Sequence, residues 1–327
     1  MALRVAINGF GRIGRSILRL LATARRDDGI EIACINDIAP LDSCAYLFEY
    51  DSVFGPFPGR IEAGDGVLSV EGRAIPFHHE ADLSRLDLAG VDLVLECTGR
   101  ANDPAVAARG LKAGAGRVLI SGPSEAAEAT VVLGANDGIL ADQRILSCGS
   151  CTTNALAPLL RLIDGLFGLE GGHMTTVHCY TGAQPTVDAP RADPARSRAA
   201  ALSMVPTSSS AGRLTDLVLP DLAGRVSCTA LRVPVASVSA VDLTVRLRDR
   251  GDIDARLRAA VAGSPVLGWT DRPLVSSDLR ARPESLILAG PEIRHGPELS
   301  RLFGWYDNEW GFSNRMIDLA LRMGARR

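Results

Sequence analysis

The sequence predicts an α/β protein of two domains: a doubly wound parallel sheet, followed by an α+β domain with a mostly antiparallel sheet. The chain has 327 residues, which is more than one hydrophobic core usually serves. Its first half alternates short apolar runs with helical stretches, and beyond about residue 150 longer strands of alternating polarity take over. We therefore expect a first domain over 1–150 and a second over 151–312, with a C-terminal helix, 313–327, that packs back on the first.

The first domain is predicted from runs rich in Val, Ile and Leu, which are typical of strands buried in a parallel sheet. The runs are Leu3–Ile7, Glu31–Asn36, Val91–Glu96, Arg117–Ser121, Thr130–Leu133 and Arg144–Ser147. Between the first two, Arg12–Ala24 carries apolar residues at helical spacing and can pack one face on the sheet. This order indicates the crossover connections that parallel strands require.

The second domain has a different pattern. Ser239–Leu247 alternates apolar and polar residues, as a strand of an antiparallel sheet does when its two faces differ in burial. The segment Thr181–Thr207 is rich in Pro, Arg and Ala without periodicity, and it predicts a long irregular loop of a kind that is often functional. Asn314–Met323 predicts the closing helix.

Composition and charge exclude several classes of protein. A net charge of −3 provides no field for holding a polyanion, so we expect no nucleic-acid partner. The N-terminal residues run directly into a predicted strand and no stretch could span a bilayer, so we expect a cytoplasmic protein without a membrane partner. Seven cysteines at irregular spacing, with no clustered histidines, predict reduced thiols and no metal site.

A dinucleotide site is predicted at residues 9–14, where GFGRIG fits the pattern GxGxxG between a predicted strand and a predicted helix. Gly9, Gly11 and Gly14 would allow a tight turn, close approach of a pyrophosphate and close helix packing. Asp37 follows at the end of the second strand, where a carboxylate accepts hydrogen bonds from ribose hydroxyls. An acid there repels a 2′-phosphate, which favours NAD, although an adjacent loop can still admit NADP.

A reactive thiol is predicted at Cys151, which lies just before the apolar helical run Ala155–Phe167. A helix N-terminus favours a thiolate, and small polar neighbours leave the sulfur accessible. His178, on the predicted strand Met174–Tyr180, is the candidate base for that thiol. The spacing alone does not place the two side chains together.

With these residues in view, the chain resembles the glyceraldehyde-3-phosphate dehydrogenase family over essentially its whole length. The shared motifs are INGFGRIGR at Ile7–Arg15, SCTTN at Ser150–Asn154, TTVHCYT at Thr175–Thr181, RVPV at Arg232–Val235 and WYDNEWGFSNR at Trp305–Arg315. The resemblance implies a Rossmann domain that binds NAD, a catalytic domain whose long loop reaches towards a neighbouring subunit's cofactor, and a homotetramer.

The resemblance also implies roles for individual residues. Cys151 is the implied nucleophile and His178 its base. The implied cofactor residues are Gly9, Gly11, Arg12, Ile13, Gly14, Asp37, Thr98, Ser121 and Asn308. The substrate's phosphate is assigned to Thr181 and Arg232, and an attacking inorganic phosphate to Ser150, Thr152, Arg196, Ser209 and Ser210.

Departures from the family pattern leave three functions open. Cys148 and Gly149 replace a usual Asn-Ala pair, Ser208–Ser210 replaces a run such as Thr-Thr-Gly, and Phe312 stands where Tyr is common. The favoured function is NAD-dependent phosphorylating oxidation of glyceraldehyde 3-phosphate to 1,3-bisphosphoglycerate through a Cys151 thioester. The alternatives are oxidation of erythrose 4-phosphate and a non-metabolic, NAD-binding redox-sensing paralogue.

Overall fold

The structure, a computed structural model, describes residues 2–325, and its contacts divide the chain into two compact units. The first unit runs from the N-terminal end to Val131 and adds Gly138–Gly149 and the described residues from Ser313 on. The second comprises Val132–Asp137 and Ser150–Phe312. Residues 326 and 327 of the predicted C-terminal helical segment lie outside the described residues.

The first unit is built on a nine-stranded sheet in the order β10-β11-β9-β8-β1-β2-β7-β6-β5. The strands of this unit are β1 (Leu3–Asn8), β2 (Ile30–Asn36), β3 (Tyr50–Asp51), β4 (Gly55–Pro56), β5 (Ile61–Gly64), β6 (Val67–Val70), β7 (Arg73–His78), β8 (Leu93–Glu96), β9 (Arg117–Ile120), β10 (Ala129–Thr130) and β11 (Ile145–Ser147). The sheet is parallel from β10 to β7, which confirms the predicted fold class of this half. The short strands β3 and β4 form a separate hairpin.

An antiparallel meander, β5-β6-β7, lies at one edge of this sheet and was not predicted from the sequence. Its two turns place Asp65 and Gly66, and then Glu71 and Gly72, at positive φ. Paired positive φ values match the type I′ turn, whose backbone twist suits a two-residue hairpin. The dipeptides Asp-Gly and Glu-Gly were therefore the available signal for these hairpins.

The helices of the first unit are α1 (Arg12–Ala22), α2 (Leu41–Glu49), α3 (Pro104–Ala107) and α4 (Arg109–Lys112). α1 buries Ile17, Leu18 and Leu20, as its apolar spacing predicts. Gly14 allows this helix to approach the preceding turn, because a Cβ at that position would lie 2.2 Å from the carbonyl oxygen of Gly9. Close packing of α1 is what places its N-terminus at the end of β1.

The second unit contains an eight-stranded mixed sheet in the order β13-β14-β12-β15-β19-β17-β16, with β18 paired to β19. Its strands are β12 (Leu169–Cys179), β13 (Val205–Thr207), β14 (Val226–Val233), β15 (Ser239–Leu247), β16 (Leu267–Thr270), β17 (Leu286–Ala289), β18 (Arg294–His295) and β19 (Ser300–Tyr306). β12 pairs in parallel with β14 and β16 with β17, and the other pairs are antiparallel. These pairings confirm the prediction of a mostly antiparallel sheet in the second domain.

The remaining helices are α5 (Cys151–Phe167), α6 (Ala211–Val218), α7 (Ile253–Ala262) and α8 (Trp310–Gly324). α5 contacts β12, β15 and β17, and its buried residues include Leu156, Leu159 and Ile163. α8 starts earlier than the predicted helix Asn314–Met323. No helix among residues 2–325 is long and apolar enough to cross a membrane.

The predicted loop Thr181–Thr207 is irregular over most of its length. It contains one 3₁₀ turn, Ala195–Ser197, and its last three residues form β13, so the prediction of a loop up to Thr207 was wrong at that end. β13 arises because Val205 is buried and its segment pairs with β14. The body of the loop exposes three large apolar side chains: Val187, Leu202 and Met204.

Candidate active site

The predicted thiol and imidazole lie side by side in the second unit. Cys151 is the first residue of α5, and the Oγ of Ser150 caps this helix by accepting a hydrogen bond from the backbone N–H of Thr153 at 3.0 Å. His178 comes from β12, and its Nε2 lies 3.7 Å from the Sγ of Cys151. Its Nδ1 lies 2.7 Å from the carbonyl oxygen of Cys179. The fold therefore brings together Cys151 and His178, which the sequence predicts as functional residues without placing them side by side.

The free site favours the uncharged forms of both residues. Burial raises the pKa of the Cys151 thiol, against the lowering effects of Thr152 and Arg232, although part of the side chain stays accessible. Burial and the nearby charge of Arg232 lower the pKa of His178 to about 4. Burial of the thiol thus opposes the thiolate that the helix N-terminus favours.

A buried hydroxyl of Tyr306 connects the elements that carry the thiol and the imidazole. It forms hydrogen bonds with the Oγ1 of Thr152 at 2.9 Å and the Oγ1 of Thr176 at 2.8 Å. The Tyr306 ring also meets the His178 ring edge-on, with centroids 6.0 Å apart. Thr152, a predicted phosphate residue, thus directs its hydroxyl to Tyr306.

Arg232 is adjacent to the imidazole because β12 and β14 run in parallel with His178 and Arg232 in register. Its Nη1 lies 2.9 Å from the Nδ1 of His178 and 3.1 Å from the carbonyl oxygen of Cys179. Thr181, the other predicted residue for the substrate's phosphate, is half-buried just beyond the end of β12. The half-buried guanidinium and Thr181 could receive an anion beside the thiol and imidazole.

A second group of predicted anion residues gathers at the start of α6. The Nε of Arg196 donates to the Oγ1 of Thr207 at 2.6 Å, and its Nη2 donates to the carbonyl oxygen of Ser208 at 3.3 Å. The Oγ of Ser209 accepts from the backbone N–H of Ala211 at 3.1 Å, and Ser210 is exposed directly before the helix. The structure thus brings the guanidinium to the serine run. Ser150, by contrast, uses its hydroxyl to cap α5.

Asn308, which follows β19, is almost fully buried with its amide oxygen engaged. Its Oδ1 accepts from the Sγ of Cys179 at 3.1 Å and from the Oγ of Ser239 at 3.4 Å. These two contacts fix the orientation of the amide, so Nδ2 is the group that Asn308 presents to a ligand. Cys179 and Ser239 were not singled out from the sequence, since neither lies in a polar cluster along the chain.

Four of the predicted cofactor residues line a cavity of about 280 Å³ in the first unit: Gly9, Gly11, Asp37 and Thr98. Asp37 accepts hydrogen bonds from the backbone N–H groups of Phe10 at 2.6 Å and Ala39 at 2.9 Å, so it also shapes the glycine turn. Gly9 has φ +94°, and a Cβ there would lie 2.7 Å from the backbone nitrogen of Thr98. A Cβ on Gly11, in contrast, would meet nothing within 4 Å.

The open space at Gly11 fits a dinucleotide. Gly11 is the N-cap of α1 and makes no side-chain cap hydrogen bond, so the first N–H groups of that helix face a position where no side chain intrudes. A pyrophosphate suits such a position.

Among the described residues, four predicted cofactor residues lie outside the cavity lining: Arg12, Ile13, Gly14 and Ser121. Arg12 forms an ion pair with Asp51.

The chain is similar to known proteins over its whole length. Residues 3–104 match the family description "Glyceraldehyde 3-phosphate dehydrogenase, NAD binding domain", and residues 150–308 match the corresponding C-terminal domain. Glyceraldehyde-3-phosphate dehydrogenase of Pseudomonas aeruginosa is 46% identical over 334 residues, covering 100% of both chains. The enzyme of Xanthobacter flavus is 44% identical, and glyceraldehyde-3-phosphate dehydrogenase 1 of Streptomyces arenae is 45% identical, each with 99% of both chains covered.

The chain belongs to the glyceraldehyde-3-phosphate dehydrogenase family. It is an NAD-binding dehydrogenase of the class that oxidises aldehydes with phosphorylation, which confirms the predicted family, enzyme class and cofactor. In the described part of the chain, no group of three or more His, Cys, Asp or Glu could hold a metal ion.

In this member of the glyceraldehyde-3-phosphate dehydrogenase family, a polar network that was not predicted from the sequence lies beside the cavity at Gly9 and Gly11. The almost fully buried carboxylate of Glu96 accepts from the side chain of Asn8 and from the backbone N–H of Thr98 at 2.9 Å. Asn36 donates to the Oδ1 of Asn8 at 2.8 Å. All three polar residues end parallel strands, at the sheet edge where ligands of α/β proteins bind. That position was the signal that could have identified them.

The low pKa of His178 predicts a specific loss of stability in acid. The unfolded chain binds a proton near the ordinary pKa of 6.5, whereas the folded chain resists protonation until about pH 4. Stability should therefore fall as the pH drops from 6.5 to 4, and the difference in pKa corresponds to at most about 3 kcal/mol. We expect His178→Asn to reduce this dependence, as measured by denaturant unfolding across that pH range.

The exposed His79 provides the matched control, since His79→Asn should leave the acid dependence of the parent chain unchanged. Equal slopes of unfolding free energy against pH in the parent and in His178→Asn would contradict the prediction.

Proposed function

We propose that the chain catalyses NAD-dependent, phosphorylating oxidation of glyceraldehyde 3-phosphate to 1,3-bisphosphoglycerate through a thioester on Cys151. The observation that carries this proposal is the 3.7 Å contact between the Sγ of Cys151 and the Nε2 of His178, with the guanidinium of Arg232 beside the same imidazole. Relatives that bear the name of this enzyme are 42–46% identical, which supports the activity at the level of the family.

The reaction starts with attack of the Cys151 sulfur on the aldehyde carbon while the thiol proton passes to the Nε2 of His178. The imidazolium and the backbone N–H of Cys151 stabilise the resulting oxyanion. Bound NAD supplies the acceptor for the hydride that leaves this carbon, and the carbon then carries a thioester. An oxygen of inorganic phosphate attacks the thioester carbonyl, the C–S bond breaks, and the sulfur recovers a proton from His178.

We assign each of the two phosphates in the reaction to one of the two groups of anion-binding residues. We assign the substrate's phosphate to Arg232, which contacts the imidazole, and to Thr181, just beyond the end of β12, and the attacking phosphate to the group at the start of α6. Arg196, Ser209 and Ser210 form the centre of that second site, because the hydroxyls of Ser150 and Thr152 already serve the helix cap and Tyr306. The amide of Asn308 would receive the nicotinamide carboxamide through its Nδ2.

The experiment that tests this function measures NADH formation with glyceraldehyde 3-phosphate and with erythrose 4-phosphate, each with and without inorganic phosphate. The proposal expects the higher kcat/KM with glyceraldehyde 3-phosphate and a rate that rises with phosphate. Phosphate-independent turnover of erythrose 4-phosphate would instead support the second candidate. That candidate is kept because Arg196 is engaged by Thr207 and Ser208, which alters the proposed acceptor site. No NADH from either aldehyde would favour the redox-sensing paralogue.

Asp37 is expected to set the preference for NAD over NADP, because its carboxylate lies in the cofactor cavity and repels a 2′-phosphate. We expect Asp37→Asn to lower the ratio of kcat/KM for NAD to that for NADP by about tenfold, which corresponds to about 1.4 kcal/mol. Initial rates with both cofactors measure it.

The matched control is Asp42→Asn, an exposed acid on α2 that should leave the ratio unchanged. An unchanged ratio in Asp37→Asn would assign cofactor selection to a different part of the cavity.

We also propose a homotetramer located in the cytoplasm. The loop 181–207 exposes Val187, Leu202 and Met204, and exposed large apolar side chains on one segment favour burial against a second copy. Light scattering of the purified chain tests the assembly, for which the proposal expects four copies.

A further inference from the structure

The carboxylate of Asp307 spans the backbone of Asn308. Asp307 follows β19 and precedes α8, and its side chain is almost fully buried. Its Oδ1 accepts hydrogen bonds from the backbone N–H groups of Glu309 at 3.0 Å and Trp310 at 2.8 Å. These N–H groups lie at the start of α8, where the helix itself offers them no acceptor. The Oδ1 contacts therefore stabilise the local conformation of the short segment that carries Asn308.

The other carboxylate oxygen of Asp307 connects this segment to the loop 281–284. Its Oδ2 accepts a hydrogen bond at 2.8 Å from the backbone N–H of Ala281, 26 residues earlier in the chain. Ala281 has φ +60°, in the left-handed region that residues with a side chain rarely adopt. The same loop packs on the first turn of α8, since a Cβ on Gly311 would lie 2.5 Å from the carbonyl oxygen of Glu284. Asp307 thus fixes a strained loop against the start of the helix.

The loop and the side-chain contacts of Asn308 are supported by one apolar cluster. Val238 and Leu279 are both almost fully buried in this cluster. Leu279 lies two residues before Ala281. Val238 lies directly before Ser239, whose Oγ donates to the Oδ1 of Asn308 at 3.4 Å. The groups that hold the backbone and the amide of Asn308 therefore belong to elements that pack together.

We propose that Asp307 is a positioning residue for the cofactor: by tying the segment of Asn308 to the loop 281–284, it keeps the Asn308 amide where the nicotinamide carboxamide arrives. This inference rests on the proposed role of Asn308. The Oδ1 contacts of Asp307 lie within the same segment and move with it, so the bond from Ala281 is the one that anchors the segment. A site that is fixed before the ligand arrives binds more tightly, because less freedom is lost on binding.

The test compares two ligands that differ in one group. NAD carries the nicotinamide ring, and ADP-ribose is the same molecule without that ring. Calorimetry on the full chain measures the Kd of each ligand. We expect Asp307→Ser to raise the Kd of NAD by about tenfold, the effect of losing one hydrogen bond, and to leave the Kd of ADP-ribose within about twofold. Serine is chosen because its hydroxyl still caps the start of α8, which keeps the chain folded, while it is too short to reach Ala281.

A double-mutant cycle tests whether Asp307 acts through Asn308. Asn308→Ala should also raise the Kd of NAD by about tenfold and spare ADP-ribose. The double variant Asp307→Ser/Asn308→Ala should then add less than about twofold to that loss, because the amide to be positioned is already gone. The matched control is Asp164→Asn, a carboxylate of the same unit that accepts from the backbone N–H of Leu169 at 2.9 Å. It should leave the Kd of both ligands unchanged.

The outcomes separate the positioning role of Asp307 from the role of Asn308. Losses that add in the double variant, an unchanged Kd of NAD in Asp307→Ser, or equal weakening of NAD and ADP-ribose would overturn the positioning role. If Asn308→Ala binds NAD as tightly as the parent, the assigned role of Asn308 fails and the positioning role fails with it. Neither measurement uses an aldehyde, so a parent chain that forms no NADH would contradict the proposed reaction and leave these binding results standing.

Discussion

Replacement of Cys151 by serine is expected to abolish NADH formation from glyceraldehyde 3-phosphate, with a loss on the order of 10⁴-fold or more. The sulfur forms the thioester, and a serine hydroxyl at the same position is a far weaker nucleophile whose ester would also resist phosphorolysis. His178 would still lie beside the new hydroxyl, so the loss would report the nucleophile itself. Initial-rate measurements at saturating NAD and phosphate check the result.

Cys228→Ser provides the matched control for this change. Cys228 is a half-buried thiol of β14 in the same unit, and its replacement should leave turnover within about twofold, as is usual for a change away from the reacting groups. A Cys151→Ser chain that retains several per cent of the parent rate would exclude a thioester mechanism.

Replacement of His178 by asparagine is expected to lower kcat by roughly 10²- to 10⁴-fold, the range of general acid–base catalysis. Without the imidazole the thiol must ionise unaided, and burial raises the pKa of that thiol. The activity that remains should therefore increase with pH in the alkaline range more steeply than that of the parent. Rates measured across pH 6–10 test both expectations.

The exposed His79 is again the matched control, and His79→Asn should keep the parent profile. A His178→Asn chain with parent-like kcat and an unchanged pH profile would remove the imidazole from the mechanism.

The fold class could be predicted because the relevant signals are local. Apolar runs of strand length and the helical spacing of Arg12–Ala24 reflect burial of one face. The structure places strands or a helix at these segments, except that the strand predicted at Thr130–Leu133 was wrong beyond Thr130, since β10 covers only Ala129–Thr130. The β5-β6-β7 meander was missed because its strands are short, with four residues in β5 and β6 and six in β7, and because β5 is largely exposed. Turn dipeptides such as Asp65-Gly66 were the stronger signal.

The sequence predicts which residues form the candidate site but not how those residues are arranged in space. Cys151 at the start of a helix and His178 on a strand could be inferred locally, whereas their 3.7 Å contact depends on the packing of α5 against the sheet. The pKa values of the thiol and the imidazole depend on burial in three dimensions, which the sequence alone does not give. The role of Tyr306 was hidden for the same reason, since its partners, Thr152 and Thr176, are distant in sequence.

The Tyr306 hydroxyl has a consequence for when the reacting groups acquire their alignment. Because one phenol holds both the first turn of α5 and the strand that carries His178, the two elements are fastened together as soon as the second unit folds. The entropy lost in bringing sulfur and nitrogen into register is thus incurred once, during folding, and an arriving aldehyde has only its own freedom to lose. A rigid site of this kind suits a catalyst whose substrates are small, mobile molecules.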